Sequence, residues 1–188
     1  MLPRIEIVLP AWIDAFVDFE RSYPSAEDRM RLAIDLSREN ILRETGGPFG
    51  GAVFEAETGR LVSVGVNLVV PLNNSALHGE IVALMMAQAR LQSYSLGGAA
   101  LPAHELVTSC DPCAMCLGAS LWAGVKRVVC GANRDDAGEI MFDEGPVFPE
   151  SYEYLIERGI EVVHGVLRNE AREVLRMYAH RSGTIYNG

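Results

Sequence analysis

Two short segments hold the residue types from which a reactive centre can be built: His78-Gly79-Glu80 and Pro112-Cys113-Ala114-Met115-Cys116. Two cysteines three apart share one face of a helix, so both sulfurs can reach one ion. A helix N-terminus favours anionic sulfur and lowers the thiol pKa. His78 adds a neutral nitrogen, and soft sulfur with imidazole selects zinc. Three protein ligands leave the fourth tetrahedral position to water, which is the catalytic and not the structural arrangement. Zinc lowers the pKa of such a water to roughly 7, so hydroxide becomes available near neutral pH. Glu80 stands two residues from His78, and helix positions i and i+2 do not face each other. It is poorly placed to share the ion. It can instead take the water's proton and pass it to a substrate nitrogen. Pro112 suits a first helical turn, where its missing N–H costs little.

Blander readings of the same residues exist. A closed structural site of Cys110, Cys113, Cys116 and His78 has usable spacing, but Cys110 is expected at a strand end, ahead of the turn made by Asp111-Pro112. A redox Cys-x-x-Cys leaves His78-x-Glu80 unexplained. A non-catalytic interaction module with structural zinc gives Glu80 no duty. Cys110 and Cys130 read as core thiols. His104, His164 and His180 read as surface or internally satisfied residues.

The elements that must position these groups follow from the hydrophobic pattern. Residues 26–44 form an amphipathic helix, with Ser25 as N-cap and Gly46-Gly47-Pro48 as the stop. Residues 49–56 and 61–69 form a β-hairpin around Glu57-Thr58-Gly59. Helices are expected over 78–91, 113–123, 150–158 and 169–180, and strands over 105–109, 127–132 and 160–167. Residues 1–24, punctuated by proline, wrap the surface as part of a single domain spanning 1–188. Strands alternating with helices imply an α/β sheet covered on both faces, antiparallel in the hairpin and parallel after the later crossovers.

Composition bounds the function. The chain has 188 residues, 49% of them apolar and 22% charged, enough for an ordinary core without disulfides. Its net charge of −9 argues against a nucleic-acid partner, whose phosphates want a basic face. No segment is long and apolar enough to span a membrane, and Glu6, Asp14 and Asp18 interrupt any secretory signal. The expected compartment is the cytoplasm, where four cysteines stay reduced.

The pattern His-x-Glu followed by Pro-Cys-x-x-Cys is the signature of zinc-dependent nucleobase deaminases. The chain resembles the cytidine/deoxycytidylate deaminase superfamily over roughly residues 25–180. The resemblance implies a three-layer α/β/α fold on a central five-stranded mixed sheet. It implies one catalytic Zn2+ per subunit on His78, Cys113 and Cys116, with Glu80 as proton carrier. The run Thr108 to Ala119, followed by Trp122, and the segment Gly65-Val66-Asn67 are similar to the guanine deaminase branch. That likeness implies hydrolysis of guanine, a free nucleobase, to xanthine and ammonia. Cytosine, cytidine, another aminopurine or an s-triazine such as ammeline would use the same chemistry. A tRNA adenosine deaminase shares much of the motif, and the acidic charge weighs against it. By the same resemblance Asn67 hydrogen-bonds the base, and Phe142-Asp143-Glu144-Gly145 supplies an acid, with Asp143 and Glu144 both candidates. Glu144 would be a second proton donor. The tail Ile185-Tyr186-Asn187, within residues 181–188, is similar to the family's C-terminal segment, which can cover the pocket of its own chain or cross from a partner subunit. Phe49 and Trp122 are candidates to stack on the base. A homodimer is implied, its interface using helices beside the zinc site. Gly79 departs from the family, which usually has Ala there.

Overall fold

A computed structural model describes residues 2–186. A short helix α1 (Trp12–Phe16) precedes α2 (Ala26–Leu42). The hairpin follows as β1 (Gly50–Glu55) and β2 (Leu61–Val66), then α3 (Gly79–Leu91), β3 (His104–Cys110), α4 (Ala114–Ala123) and β4 (Arg127–Ala132). The chain closes with α5 (Arg134–Gly138), α6 (Pro149–Glu157), β5 (Glu161–Val163) and α7 (Arg168–His180). The five strands form one sheet in the order β2-β1-β3-β4-β5. β1 pairs antiparallel with β2 and β3, while β3–β4 and β4–β5 are parallel. This is the mixed five-stranded α/β sheet that the resemblance implies.

Both faces of the sheet are covered because the central strands carry apolar side chains at odd and even positions alike. Successive strand residues point to opposite faces. Ala52, Phe54, Val107 and Val129 therefore join one apolar cluster with residues of α2 and α7. Val53, Leu106 and Val128 join a second with residues of α3, α4 and α6. Every residue of β1, β2 and β3 is buried.

Three departures from the sequence reading have local causes. The N-terminal wrap contains α1, which buries Ile13 against the first cluster. After β4 the chain turns through α5, nucleated by a capping box between Asn133 and Asp136. β5 is shorter than the expected strand, since Gly165 (φ 76°) and Leu167 (φ 52°) adopt left-handed conformations that end it. Ser25 caps α2 as expected, its Oγ accepting from the Asp28 N–H at 3.1 Å. No helix among the described residues is long and apolar enough to cross a membrane.

Candidate active site

The two motifs converge because each stands where a helix begins. His78 is the residue before α3 and Cys113 the residue before α4, both extended in backbone, and Glu80 and Cys116 lie in the first turns. α3 reaches this position by lying very close to the hairpin. A Cβ on Gly65 would stand 2.3 Å from both the Ala83 nitrogen and the Gly79 oxygen. Gly79 has the same cause: a Cβ there would meet the Phe49 carbonyl oxygen at 2.9 Å. The departure from alanine thus accompanies a close approach of the α3 start to the end of the loop before β1.

The donor atoms suit a tetrahedral ion. His78 Nδ1 lies 3.5 Å from Cys113 Sγ and 3.7 Å from Cys116 Sγ. All three donors fall within 4.8 Å of one another. Zinc bonds of about 2.0–2.1 Å to nitrogen and about 2.3 Å to sulfur, at a tetrahedral angle, place nitrogen and sulfur about 3.6 Å apart. Cys110 is outside this group. It is the last residue of β3, and its thiol faces the Asn133 carbonyl at 3.7 Å. The set is therefore a three-ligand one.

The electrostatics of the cluster are those of groups that share protons. A hydrogen bond from Cys116, helped by His78, holds the Cys113 thiol down to about 4 against the cost of burial. That same bond and burial push Cys116 up. Burial pulls His78 down, but the hydrogen bond to Cys113 and the nearby acids more than offset it. Glu80 is 5% exposed. Burial and the negative charge of Cys113 raise it to about 6. Glu144 is raised to about 8 by burial, by Cys113 and by Glu80. A dication at the cluster would lower both carboxyls.

Other expected residues divide. Asn67 is fully buried at the end of β2; its Oδ1 accepts from the Val69 N–H at 3.2 Å, and its Nδ2 has no partner among the described residues. The Tyr186 hydroxyl is likewise buried without a partner. A Cβ on Gly47 would stand 2.5 Å from that hydroxyl and 3.1 Å from Asn67 Oδ1, so the three converge on one small space. Tyr186 lies 6.5 Å from His78, ring centre to ring centre. Phe142 packs edge-on against both Tyr186 (4.9 Å) and Phe49 (5.0 Å). Asn187 lies outside the described residues.

Of the two adjacent acids, Glu144 turns inward and Asp143 outward. Asp143 Oδ1 accepts from the Gly145 N–H at 2.8 Å, and the Glu144 carbonyl accepts from the Ala114 N–H at the start of α4. Trp122 does not join the site: it sits on the last turn of α4, 82% exposed. Nine residues of helix carry it about 13 Å along the axis from Cys113. A cavity of about 460 Å³ opens elsewhere, between Ile41, Gly46, Tyr178 and Thr184 on the tail segment. Sequence reasoning missed Asn40. Its Nδ2 donates to the carbonyls of Gly47 (2.9 Å) and Asn67 (3.0 Å), fixing the two segments that meet Tyr186. Only a polar residue on the buried face of α2 hinted at it.

The family model for the cytidine and deoxycytidylate deaminase zinc-binding region matches residues 24–132. The chain belongs to this deaminase family. It is 35% identical to the guanine deaminase of Bacillus subtilis (strain 168), over 66% of this chain and 75% of that protein. It is 30% identical to a tRNA-specific adenosine deaminase of Haemophilus influenzae, over 81% and 82%. Among solved structures, a guanine deaminase from Nitrosomonas europaea superposes with a TM-score of 0.90 at 43% identity, covering 96% of this chain and 98% of that one. NE0047 in complex with 2,6-diaminopurine gives 0.91 at 45%, covering 97% and 96%.

Proposed function

We propose that this chain is a zinc-dependent guanine deaminase, which adds water to guanine and releases xanthine and ammonia. One observation carries the choice of a free purine. Asn67 Nδ2 and the Tyr186 hydroxyl are buried donors without partners among the described residues, and Tyr186 lies beside His78 of the His-Cys-Cys cluster. Buried donors are rarely left unpaired, so a polar ring that accepts from them fits that space. The likeness to a guanine deaminase at 43% identity, and to a protein solved with an aminopurine, supports the same substrate class.

His78, Cys113 and Cys116 would hold the zinc. When bound, zinc supplies a water acidic enough to attack the amino-bearing carbon near neutral pH. Glu80 takes a proton from the attacking water and returns it to the neighbouring ring nitrogen. The carbon–nitrogen bond then breaks as Glu80 carries the remaining proton of the added hydroxyl to the amine, which leaves as ammonia while the carbon keeps the oxygen as a carbonyl. Guanine's reacting carbon lies between two ring nitrogens, and Glu144 is the second acid that can keep a proton there. Asn67 Nδ2 orients the ring, and Phe49, Phe142 and Tyr186 exclude water from it. Asp143 acts by shaping the loop that aims Glu144.

A homodimer is part of the proposal. Met115, Gly118, Ala119 and Trp122 form one stripe along α4, with Met115 and Trp122 exposed. Four unpaired cysteines support a cytoplasmic location.

The test is a comparison of kcat/KM for guanine, cytosine, cytidine, adenine, guanosine and ammeline, with tRNA adenosine as a further arm. Guanine should lead. A higher value for ammeline or cytosine would keep the chemistry and replace the substrate. Turnover of tRNA would favour the second reading raised by the tRNA-specific relative. Silence across the panel with zinc bound would point to an interaction module.

A further inference from the structure

Beyond the cluster of His78, Cys113 and Cys116, one other set of metal-binding atoms converges among the described residues. A carboxylate oxygen of Asp111, Sγ of Cys130 and a ring nitrogen of His164 lie within 4.8 Å of one another. We propose that these three residues hold a second transition-metal ion of the zinc type, separate from the deaminase centre.

The three ligands come from three neighbouring strands. Cys130 lies in β4, Asp111 directly follows β3, and His164 directly follows β5. These strands are parallel, so the same end of each delivers its donor to one place. Cys130 is fully buried and Asp111 nearly so, while the His164 side chain is 42% exposed. An ion therefore has a route from solvent and anchors that are rigid. His164 Nδ1 and Asp111 Oδ1 already meet at 2.8 Å. Ion-bound nitrogen and oxygen at tetrahedral zinc stand about 3.3 Å apart, so a movement of about half an ångström exchanges the hydrogen bond for a metal. Thiolate, imidazole and carboxylate together suit zinc or cobalt better than calcium or magnesium. Water would complete the set on the exposed side.

Such an ion has a structural task here. β5 pairs with β4 over only three residues, ending at Val129↔Val163. His164 is the next residue, so the ion would pin the end of the shortest strand. It would also pin Asp111, two residues before Cys113.

The experiment is metal stoichiometry on the full chain. Metal-free protein is loaded with excess zinc, passed through a desalting column and analysed by plasma mass spectrometry. Two zinc ions per chain are expected in the parent. One is expected in His164→Gln, in Cys130→Ser and, independently, in His78→Ala. His164 is exposed, so its variant will fold even if Cys130→Ser does not. Cobalt loading gives a second readout: His78→Ala should retain thiolate-to-cobalt absorption that His78→Ala with Cys130→Ser lacks. A single zinc in the parent, or two in His164→Gln, overturns the proposal.

Discussion

Glu80 and Glu144 are both buried beside the cluster and are the acids proposed to move protons, and they differ in how they are held. Glu80 is fastened in the first turn of α3, while Glu144 hangs from a loop clamped by the Asp143–Gly145 turn. Replacing Glu80 with Gln keeps the shape and removes the proton carrier. The variant should bind zinc as the parent does and lose about a hundredfold or more in turnover. A parent-like rate would remove Glu80 from the reaction. Glu144→Gln should slow guanine turnover by on the order of tenfold to a hundredfold with unchanged thermal stability; an undiminished rate would dismiss Glu144. At this scale the convergence of His78, Cys113 and Cys116 was legible, because it lies in local spacing. That Glu144 is buried and Asp143 exposed was not, since it turns on a tight turn and on the Ala114 N–H, which no spacing encodes. That Trp122 stands exposed at the end of α4 away from Cys113 was hidden for a related reason: a helix pattern does not say which end of the helix meets the site.

At the scale of elements, the close contact of α3 with the hairpin is what aims His78. Gly65→Ala puts a methyl group 2.3 Å from backbone that cannot yield like a side chain. The variant should lose about 1–3 kcal/mol by chemical denaturation and bind zinc more weakly. Retention of both would mean that α3 can shift freely. A second element-level prediction concerns α5. Burial raises Asp136, but Arg168 at 2.8 and 3.1 Å and the Asn133 N–H at 2.9 Å bring it below its ordinary 3.8. A carboxyl held lower in the folded state stabilises it above the unfolded value. That contribution disappears as pH falls through the folded value. Asp136→Asn should therefore cost on the order of 1 kcal/mol at neutral pH, since the half-exposed Arg168 is partly screened. The gap from the parent should close as pH falls below the ordinary aspartate range and the folded-state carboxyl takes up its proton. A pH-independent gap would assign the effect to packing alone. The strong helices and the hairpin were readable from periodicity. α5 was missed although Asn133-x-x-Asp136 carries its capping signal, and β5 was overextended because nothing marks Leu167 as left-handed.

For the whole molecule, the arrangement of layers was legible because strands with apolar residues at both odd and even positions need cover on both faces. A homodimer is implied only by resemblance. The α4 stripe supplies a test. Trp122→Glu should convert a dimer to a monomer in analytical ultracentrifugation and leave zinc content unaltered; a parent-like sedimentation coefficient would place the interface elsewhere.

The metal donors belong to helix starts separated by 35 residues of chain, with the β3 strand between them. An ion bridging them would thus act as a weld between two independently formed segments and exist only in the assembled molecule. Ligands that bind only the native state raise its resistance to heat by mass action. The melting temperature should climb with the logarithm of free zinc and drop when a chelator strips the protein. A constant melting temperature across zinc buffers would show that the joint carries no strength.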